Sequence, residues 1–452
     1  MHRWLSTVMF VLCNPLQHRA ALRLLDALSR SQWLSRAELD SLQAFRLDRL
    51  LDHSRRTVPY YRQALERAVA PGIGTCRERL ARLPILRKED VRANSVALQS
   101  SDLRGGRLHL SRTGGSTGEP LTVANGTAGL IAATAAVLRG KEWAGVRLGD
   151  RGVAIKAHGE ISIAGRLRAG LVNIHPFKSC LSREHLLRTV IPALSASPPR
   201  YLTGYPTSLL CLANLMEERE LHIPVIFTTG EMLYAHQREI LERKFAGRVF
   251  DYYGSNEVSA LAFECEYGCR HITDEQVVLE VVDDADQPLW DVSGRILVTD
   301  FRNMAMPFIR YELGDRGVLS RAPCQCGRHL LVLKELEGRS QDAIRGPNGV
   351  ALSGVFFAGR FRNLERIRAY QVVQQSETVV ELRYVSARPD AQTEVNEIVA
   401  VIREHLGAAV RIEERCFDTL PLTRTGKTRH VIGLGTLDPG KFTAKAPELK
   451  LH

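Results

Sequence analysis

The chain has 452 residues, with 61 Lys and Arg against 50 Asp and Glu, and 44% of its residues are hydrophobic. This length exceeds what one hydrophobic core usually supports, so we predict about two or three domains. No apolar run is long enough to span a bilayer, and we expect no stable membrane insertion. The net charge of +11 comes from basic residues scattered among acidic ones, as in Arg36-Ala37-Glu38, which favours a solvated surface over a nucleic-acid site.

The N-terminal region shows the spacing of apolar residues that is typical of helices. We predict that Trp4–Cys13 is the buried face of a first helix and not a signal peptide, because no small-residue cleavage site follows it. Residues 18–70 continue the helical spacing, for example at Leu22, Leu25 and Leu28. They are predicted to form a helical N-terminal cap.

Strand and helix patterns alternate in the next part of the chain. Short β-rich runs at 152–156, 201–203 and 225–228 are separated by helical runs such as 127–138 and 235–245. Alternation of this kind is typical of an α/β layered domain with a largely parallel sheet.

The pattern then changes to antiparallel strands. The runs 276–282 and 294–301 are joined through an acidic turn, and residues 338–349 are rich in Gly, Arg and Pro and resemble a linker. An α+β module of mixed strands and one helix follows. We therefore predict an α/β fold with a large N-terminal domain of layered α/β subdomains, residues 1–339, and a small C-terminal α+β domain, residues 340–452.

Four short segments carry the chemistry, and the first is rich in Gly, Ser and Thr. It reads Ser111-Arg112-Thr113-Gly114-Gly115-Ser116-Thr117-Gly118. Its small residues can wrap phosphate in backbone N–H groups, and its hydroxyls can donate further hydrogen bonds. It is not a Walker A loop, because no Gly-Lys-Ser/Thr ending is present. Taken alone, it is equally compatible with a surface turn.

The second segment combines an aromatic residue with an acid. It reads Asp251-Tyr252-Tyr253-Gly254-Ser255-Asn256-Glu257. Tyr253 can pack on adenine, and Glu257 can ligate Mg²⁺, which prefers oxygen ligands and substrate phosphates. The alternative is a strand end followed by a helix, with Ser255 or Asn256 as the N-cap. Both interpretations can hold at once.

The last two segments contain an isolated acid and an isolated lysine. Asp315, in Leu313-Gly314-Asp315, can accept hydrogen bonds from both ribose hydroxyls, or can belong to a plain Gly-Asp turn. Arg339 can reinforce the binding of ribose or phosphate. Lys427, between Gly426 and Thr428, can bridge a carboxylate and the α-phosphate, whereas a lone loop lysine is usually only solvated.

In this order, the segments predict a site that activates a carboxylic acid with ATP. A carboxylate is a poor acyl donor, because its charge repels nucleophiles and oxide is a poor leaving group. Transfer of AMP to the carboxylate removes both obstacles. It requires that the phosphates are held, that a cation neutralises them, and that the acid lies in line with the α-phosphorus. The cofactors expected from the residues are therefore ATP and Mg²⁺.

These segments resemble those of the adenylate-forming superfamily of acyl-CoA synthetases, nonribosomal adenylation domains and luciferases. Within it, the chain is similar to the phenylacetate-coenzyme A ligase-like branch that includes CapK-type capsule-biosynthesis proteins. The resemblance covers essentially residues 40–435. The branch-level features are Leu51-Asp52-His53-Ser54, Val58-Pro59-Tyr60-Tyr61-Arg62, Leu83-Pro84-Ile85-Leu86-Arg87-Lys88-Glu89-Asp90, Gly204-Tyr205-Pro206 and Gly230-Glu231.

The resemblance implies a reaction in two steps. A carboxylic acid and ATP give an acyl adenylate, and coenzyme A then takes the acyl group as a thioester. Residues 113–118 would hold phosphate, and Gly230 and Glu231 would line the adenine pocket with Tyr253. The C-terminal domain would be a mobile lid that carries Lys427. A cytoplasmic protein that can form a homodimer fits this class.

Three positions depart from the pattern of the superfamily. Glu119 follows the phosphate segment where many relatives carry Lys, although this branch often dispenses with that Lys. The hinge segment carries Gln341 at the usual Asp pivot, and Glu312 replaces a common Arg. None of these changes removes a group that adenylation needs, but they leave thioester formation less secure than adenylation.

Nine cysteines are present, and four of them form two close pairs. The pairs lie in Cys265-Glu266-Tyr267-Gly268-Cys269-Arg270-His271 and Cys324-Gln325-Cys326-Gly327. We predict one structural Zn²⁺ held by Cys265, Cys324, Cys326 and either His271 or Cys269. The alternatives are reduced cysteines or a labile disulfide, which the cytoplasm disfavours. The other five are predicted to be reduced core residues: Cys13, Cys76, Cys180, Cys211 and Cys416.

Two further functions fit the same residues. One is an adenylating transferase that passes the acyl or adenylyl group to an amine or hydroxyl, for example in polysaccharide modification. The other is a catalytically silent nucleotide-binding scaffold, against which Glu257, Asp315 and Lys427 argue. For the leading function, the expected substrate is an aryl or other organic acid. The candidate lining residues of its pocket, each equally compatible with core packing, are Trp143, His158, Tyr205, Phe227 and Tyr234.

Overall fold

The computed structural model describes residues 3–68, 74–102, 108–112, 121–156, 169–178, 186–217, 221–339, 344–347, 351–352, 357, 365–421 and 429–434. Contacts between Cα atoms divide the chain into two compact units. The larger comprises Met1–Thr113, Pro120–Leu233 and Arg238–Leu336, and the smaller comprises Gly114–Glu119, Tyr234–Gln237 and Glu337–His452. None of the helices in the described ranges combines the length and the apolar character needed to cross a bilayer.

The larger unit begins with helices, as the spacing of apolar residues predicts. They are α1 (Arg3–Cys13), α2 (Pro15–Ser31), α3 (Arg36–Thr57), α4 (Pro59–Ala68), α5 (Cys76–Ala81) and α6 (Lys88–Ala93). A capping box starts α3, in which the Ser35 hydroxyl accepts from the Glu38 N–H and the Glu38 carboxylate accepts from the Ser35 N–H. Buried residues of α3, including Leu47 and Leu50, belong to the main hydrophobic core.

The first helix is correctly predicted, but its burial is not. Val8 is 43% exposed and Leu12 is 58% exposed. The contacts of α1 are concentrated on α2, where the ring of Phe10 stacks on His18 with centroids 3.9 Å apart. One helix partner covers only part of a largely apolar helix, so these side chains remain in solvent.

Strands and helices alternate after α6. The strands are β1 (His109–Arg112), β2 (Thr122–Asn125), β3 (Gly152–Lys156), β4 (Ile174–Lys178), β5 (Tyr201–Gly204), β6 (Val225–Thr229), β7 (Arg248–Tyr253), β8 (Ala262–Glu264), β9 (Arg270–Ile272), β10 (Val277–Val282), β11 (Ser293–Asp300), β12 (Tyr311–Ser320) and β13 (Val332–Arg339). The helices are α7 (Thr127–Trp143), α8 (Ile191–Ala196), which follows a π-helical turn at Leu186–Val190, α9 (Pro206–Ala213) and α10 (Ala235–Phe245).

Eleven strands of the described chain form one sheet, in the order β10-β11-β12-β13-β9-β8-β7-β6-β5-β3-β4. The strands β3 to β7 are parallel, and the predicted strand runs 152–156, 201–203 and 225–228 form β3, β5 and β6. The strands β4 and β7 were not among the predicted runs. From β7 to β9 and from β10 to β12 neighbouring strands are antiparallel, which confirms the predicted change of pattern. The parallel strands β5, β6 and β7 therefore end side by side, where ligands usually bind in such sheets.

The smaller unit has the predicted α+β character. Its elements are β14 (Ile344–Arg345), β15 (Ala351–Leu352), β16 (Ile367–Ser376), β17 (Val379–Ser386), α11 (Gln392–Leu406), β18 (Arg411–Cys416) and β19 (Val431–Ile432). A sheet of order β18-β17-β16-β19 carries α11, which buries Val395, Ile402 and Leu406. Two predictions need correction here. The segment predicted as a linker begins inside β13, and Cys416 is exposed because β18 is an edge strand.

Candidate functional site

Two residues predicted to bind the nucleoside are in direct contact. The Tyr253 hydroxyl donates a hydrogen bond of 2.8 Å to Asp315 Oδ2, although the residues belong to different motifs. Tyr253 is the last residue of β7 and is buried, and Asp315 lies on β12. The larger unit thus brings the predicted adenine-packing residue and the predicted ribose acceptor to one place.

Asp315 is presented by an irregularity in β12. On β11, Arg295 pairs with Arg316 and Leu297 pairs with Glu312. Ile296 alone therefore stands opposite three residues of β12, which are Leu313, Gly314 and Asp315. Gly314 has φ of +82°, a conformation that residues with a side chain rarely adopt. The alternative of a plain Gly-Asp turn is therefore wrong, since these residues form a bulge within a strand, a device that redirects side chains.

The end of β6 carries the next predicted pair, Gly230 and Glu231. Gly230 has φ of +78°, and a Cβ at this position would lie 2.6 Å from Cε1 of Tyr205. Both facts require glycine here. Tyr205 is the N-cap residue of α9, and its pKa is raised by burial and then by the negative charge of Glu231. Gly230, Glu231 and Tyr205 therefore form one wall at the ends of β5 and β6.

The turn after β7 is closed by backbone contacts at Gly254. A Cβ on Gly254 would lie 3.0 Å from both the Ala260 nitrogen and the Tyr252 hydroxyl. That hydroxyl also accepts a hydrogen bond of 2.9 Å from the Ala260 N–H. The small residue predicted at this position is thus required by the close approach of the two ends of the loop.

Ser255 shapes the part of the loop that leads to Glu257. The Ser255 hydroxyl accepts a hydrogen bond of 2.9 Å from the Val258 N–H, and the Ser255 N–H donates to the Val258 carbonyl at 3.1 Å. No helix follows, so the alternative of a helix N-cap at Ser255 or Asn256 is wrong. The residues form a closed turn instead, which orients Glu257.

Glu257 is in contact with a cation and a phenol. Its Oε1 lies 3.8 Å from the Lys88 ammonium and 3.4 Å from the Tyr311 hydroxyl, which donates to it. The side chain of Glu257 is only 10% exposed. Neither Lys88 nor Tyr311 was predicted as a site residue. The available signals were the branch-level segment around Lys88 and the position of Tyr311, shortly before Leu313-Gly314-Asp315 in the chain.

A pocket with several polar residues in its lining opens beside Glu257. It is lined by Ser111, Asn125, Gly129, Leu130, Asn256, Glu257, Ser259, Asp300, Arg302 and Asn303. The Arg302 guanidinium binds the Asp300 carboxylate through Nε at 2.7 Å and Nη2 at 3.2 Å, which balances its charge. Carboxylate, amide and hydroxyl oxygens are the ligands that a hard divalent cation prefers.

Several predicted residues lie outside the described part of the chain. These are Thr113, Gly114, Gly115, Ser116, Thr117, Gly118, Glu119, Gln341 and Lys427. Of Arg339, only the backbone at the end of β13 is described. The flanks of the predicted phosphate segment are described, and Arg112 at the end of β1 pairs with Thr122 at the start of β2. The helix predicted to follow the segment, α7, is thus preceded by an additional strand.

Glu312, which departs from the superfamily pattern, is neutralised by two arginines. Its carboxylate binds Arg295 at 3.0 Å and lies 3.7 Å from the Arg87 guanidinium. These ion pairs balance the negative charge on the strand that also carries Asp315. The departure is therefore accommodated by its neighbours.

Four of the five predicted zinc ligands meet. The ligand atoms of Cys265, His271, Cys324 and Cys326 all lie within 4.8 Å of one another. Cys265 Sγ is 3.7 Å from Cys324 Sγ, and Cys326 Sγ is 3.2 Å from His271 Nε2. Cys269 contacts Cys324 but is not a member of this group.

The two turns that supply the thiols have the same backbone geometry. In each turn, the glycine three residues after the first cysteine has φ of +78°. Its N–H donates to the carbonyl of that cysteine. The distance is 2.9 Å from Gly268 to Cys265 and 3.1 Å from Gly327 to Cys324. The N–H groups of Tyr267 and Cys326 point at the sulfur of the first cysteine, at 3.4 and 3.5 Å. The repeated Cys-x-x-Gly spacing was the signal for this geometry.

The histidine is oriented as a metal ligand would be. His271 Nδ1 contacts the Leu330 carbonyl at 3.1 Å, which leaves Nε2 facing the thiols. Burial lowers the pKa of His271 to about 4, so the ring is neutral at pH 7. Burial also raises the pKa of Cys265 to about 12 and that of Cys324 to about 11. A bound cation would favour their thiolate forms.

Two residues considered for the acid pocket belong to the core. The Trp143 N–H donates to Gln32 at 2.7 Å in a buried position, and Phe227 packs between Tyr201 and Phe250. Tyr205 remains a candidate because it adjoins Gly230. His158 lies outside the described residues, and Tyr234 is grouped with the smaller unit.

Known proteins resemble this chain over most of its length. No protein-family model matches it. A phenylacetate-coenzyme A ligase from Thermus thermophilus is 28% identical over 335 residues, which cover 70% of this chain and 74% of that protein. A phenylacetate-coenzyme A ligase from Pseudomonas putida is 26% identical over 435 residues, which cover 87% of this chain and 94% of that protein.

Solved structures share the fold. A 2-hydroxyisobutyryl-CoA ligase in the postadenylation state, in complex with 2-HIB-AMP, has a TM-score of 0.72 at 19% identity and covers 89% of this chain and 91% of its own. An anthranilate CoA ligase in complex with anthranoyl-AMP has a TM-score of 0.53 at 16% identity and covers 71% and 66%. The predicted α/β fold is confirmed by this similarity.

Proposed function

We propose that this chain, a member of the adenylate-forming superfamily and a homologue of phenylacetate-coenzyme A ligases, is an AMP-forming ligase that joins an organic acid to coenzyme A. The observation that carries the proposal is the hydrogen bond between Tyr253 and Asp315, because it joins two distant nucleotide motifs. An aryl or other organic acid is the proposed substrate. The proposed location is the cytoplasm, where ATP and coenzyme A are available.

In the first step, an oxygen of the acid attacks the α-phosphorus of ATP and pyrophosphate leaves with the electron pair of the broken bond. Gly230, Glu231 and Tyr253 hold adenine, and Asp315 accepts hydrogen bonds from ribose. Glu257 would hold Mg²⁺, which when bound would supply positive charge near the phosphates. Residues 113–118 donate backbone N–H groups to them.

In the second step, the thiol of coenzyme A attacks the acyl carbon and AMP leaves. We propose that residues 340–452 act as a lid on residues 1–339. In this proposal the lid presents Lys427 during adenylation and withdraws it for thioester formation, and Arg339 adds a charge near ribose or phosphate.

Exchange of radiolabelled pyrophosphate into ATP, measured with a panel of aromatic, aliphatic and amino acids, tests the proposal. We expect exchange with at least one acid, and stoichiometric AMP and thioester after addition of coenzyme A. ATP binding without exchange for any acid would instead indicate a silent scaffold. Exchange followed by product formation only with amines or alcohols would indicate a transferase, the function suggested by CapK-type proteins.

We also propose one structural Zn²⁺ at Cys265, His271, Cys324 and Cys326. The proposal rests on the convergence of four ligand atoms within 4.8 Å and on the neutral, carbonyl-oriented imidazole. The ion would fasten the turn after β8 and strand β9 to the connection between β12 and β13.

Removal of this ion is expected to destabilise the larger unit, because metal affinity contributes to folding free energy. We expect about one zinc per chain in purified protein, and a melting temperature lower by roughly 5 °C or more in chelator. Cys324→Ser should lose the metal, whereas Cys416→Ser, at an exposed cysteine of the smaller unit, should retain it. Well under one equivalent of zinc, together with melting unchanged by chelator, would exclude the site.

A further inference from the structure

The position of Lys88 is determined by a tertiary backbone bridge. The Leu86 N–H donates to the Arg310 carbonyl at 3.1 Å, and the Glu312 N–H donates to the Leu86 carbonyl at 3.0 Å. The Arg310 guanidinium is buried and donates to the Leu83 carbonyl at 2.7 Å. The segment before α6 is thereby fixed to the start of β12, the strand that also carries Asp315.

This bridge brings a lysine to the carboxylate proposed for Mg²⁺. The side chain of Lys88 is 21% exposed, and its ammonium lies 3.8 Å from Glu257 Oε1. Tyr311, whose backbone adjoins the bridge, donates to the same oxygen at 3.4 Å. A cation, a phenol and an acid therefore converge at one point of the larger unit.

The balance of charges around this point indicates what the lysine can do. Pyrophosphate leaves with several negative charges, and a cation beside it would stabilise them. Arg302 is bound in two places by Asp300, and Arg87 and Arg295 neutralise Glu312. Lys88 instead faces the carboxylate proposed to hold a divalent cation. A cation there would weaken the attraction between Glu257 and the ammonium, which would then favour phosphate oxygens.

We propose that Lys88 is a catalytic residue of adenylation that binds the departing pyrophosphate beside Glu257. This inference rests on the proposed function. As the acid's oxygen bonds to the α-phosphorus and the bond to the β-phosphate oxygen breaks, negative charge accumulates on pyrophosphate. The Lys88 ammonium stabilises that charge by a charge-assisted hydrogen bond and transfers no proton.

Equilibrium binding by calorimetry tests the proposal without relying on turnover. Lys88→Ala and Lys88→Met should weaken the binding of pyrophosphate and ATP about tenfold, the size of one charge-assisted hydrogen bond, and leave AMP binding within about twofold. Arg92→Gln is the matched control on the same helix, where Arg92 lies 3.7 Å from Glu89, and it should leave all three affinities unchanged. Retained AMP binding verifies that each variant is folded.

If Lys88 only positioned Glu257, its replacement would have no effect on pyrophosphate binding once the Glu257 carboxylate is removed. In a Glu257→Gln background no carboxylate is left for Lys88 to position. We still expect Lys88→Met to weaken pyrophosphate binding in that background. Loss of the effect there, or equal pyrophosphate binding by wild type and Lys88→Met, overturns the inference. Absence of ATP binding in the wild-type protein would instead contradict the proposed function.

Discussion

Replacement of Glu257 by Gln is expected to slow pyrophosphate exchange by about 100-fold while the protein remains folded. The amide keeps the size of the side chain but removes the negative charge that a Mg²⁺ ligand supplies. Glu257 is also largely buried, and its carboxylate contacts Lys88 and Tyr311. Water therefore has little access to take the place of the lost carboxylate. The rate should be measured at saturating ATP over a range of Mg²⁺ concentrations, with thermal melting as the check on folding.

Two other glutamates serve as controls for this experiment. Glu89→Gln changes a side chain that is 75% exposed on α6 and should leave exchange unaltered. Glu119→Ala, in the phosphate segment, is expected to be close to neutral, because a carboxylate does not assist phosphate binding. Loss of activity in Glu119→Ala with activity preserved in Glu257→Gln would show that the phosphate site is wrongly assigned.

Replacement of Lys427 by Ala is expected to abolish one half-reaction and spare the other. In the proposed mechanism the lysine stabilises charge that develops at the α-phosphate, so its loss should remove about 3 kcal/mol or more of transition-state binding from adenylation. Pyrophosphate exchange should therefore fall by at least roughly 100-fold. Conversion of a supplied acyl adenylate to thioester by coenzyme A should continue at a rate near that of wild type.

A lysine outside the proposed site serves as the control for Lys427→Ala. Lys334, which is exposed on β13, can be replaced by Ala as the control, and both half-reactions should be retained. Equal loss of both half-reactions in Lys427→Ala would mean that the residue supports folding or a step common to both. The proposal of an alternating lid would then be withdrawn.

The parts of the fold that could be predicted are those with local signals. The alternation of apolar runs and helical patterns predicted the parallel strands β3, β5 and β6, because neighbouring parallel strands are usually joined by a helical crossover. The Cys-x-x-Gly turns were also predictable, since glycine at a fixed distance from cysteine marks a tight turn. In both cases neighbouring residues determine the structure.

The contacts that could not be predicted depend on tertiary bridges. Lys88 meets Glu257 only because the segment before α6 pairs with the start of β12, and no local pattern encodes that pairing. The same holds for the bulge at Gly314, where the Gly-Asp spacing is compatible with a turn or a strand. Val8 and Leu12 of α1 were predicted to be buried from their composition, but exposure depends on what packs against the helix.

The place of β13 in the sheet has a mechanical consequence. This strand lies between β12 and β9 in the interior of the sheet, and the boundary between the two compact units, after Leu336, falls within it. A pull transmitted along the chain from the C-terminal module would load this strand, which has a hydrogen-bonded neighbour on each side. An edge strand such as β10 has such a neighbour on one side only. The motion proposed for the lid would therefore reach the larger unit through an interior strand of its sheet.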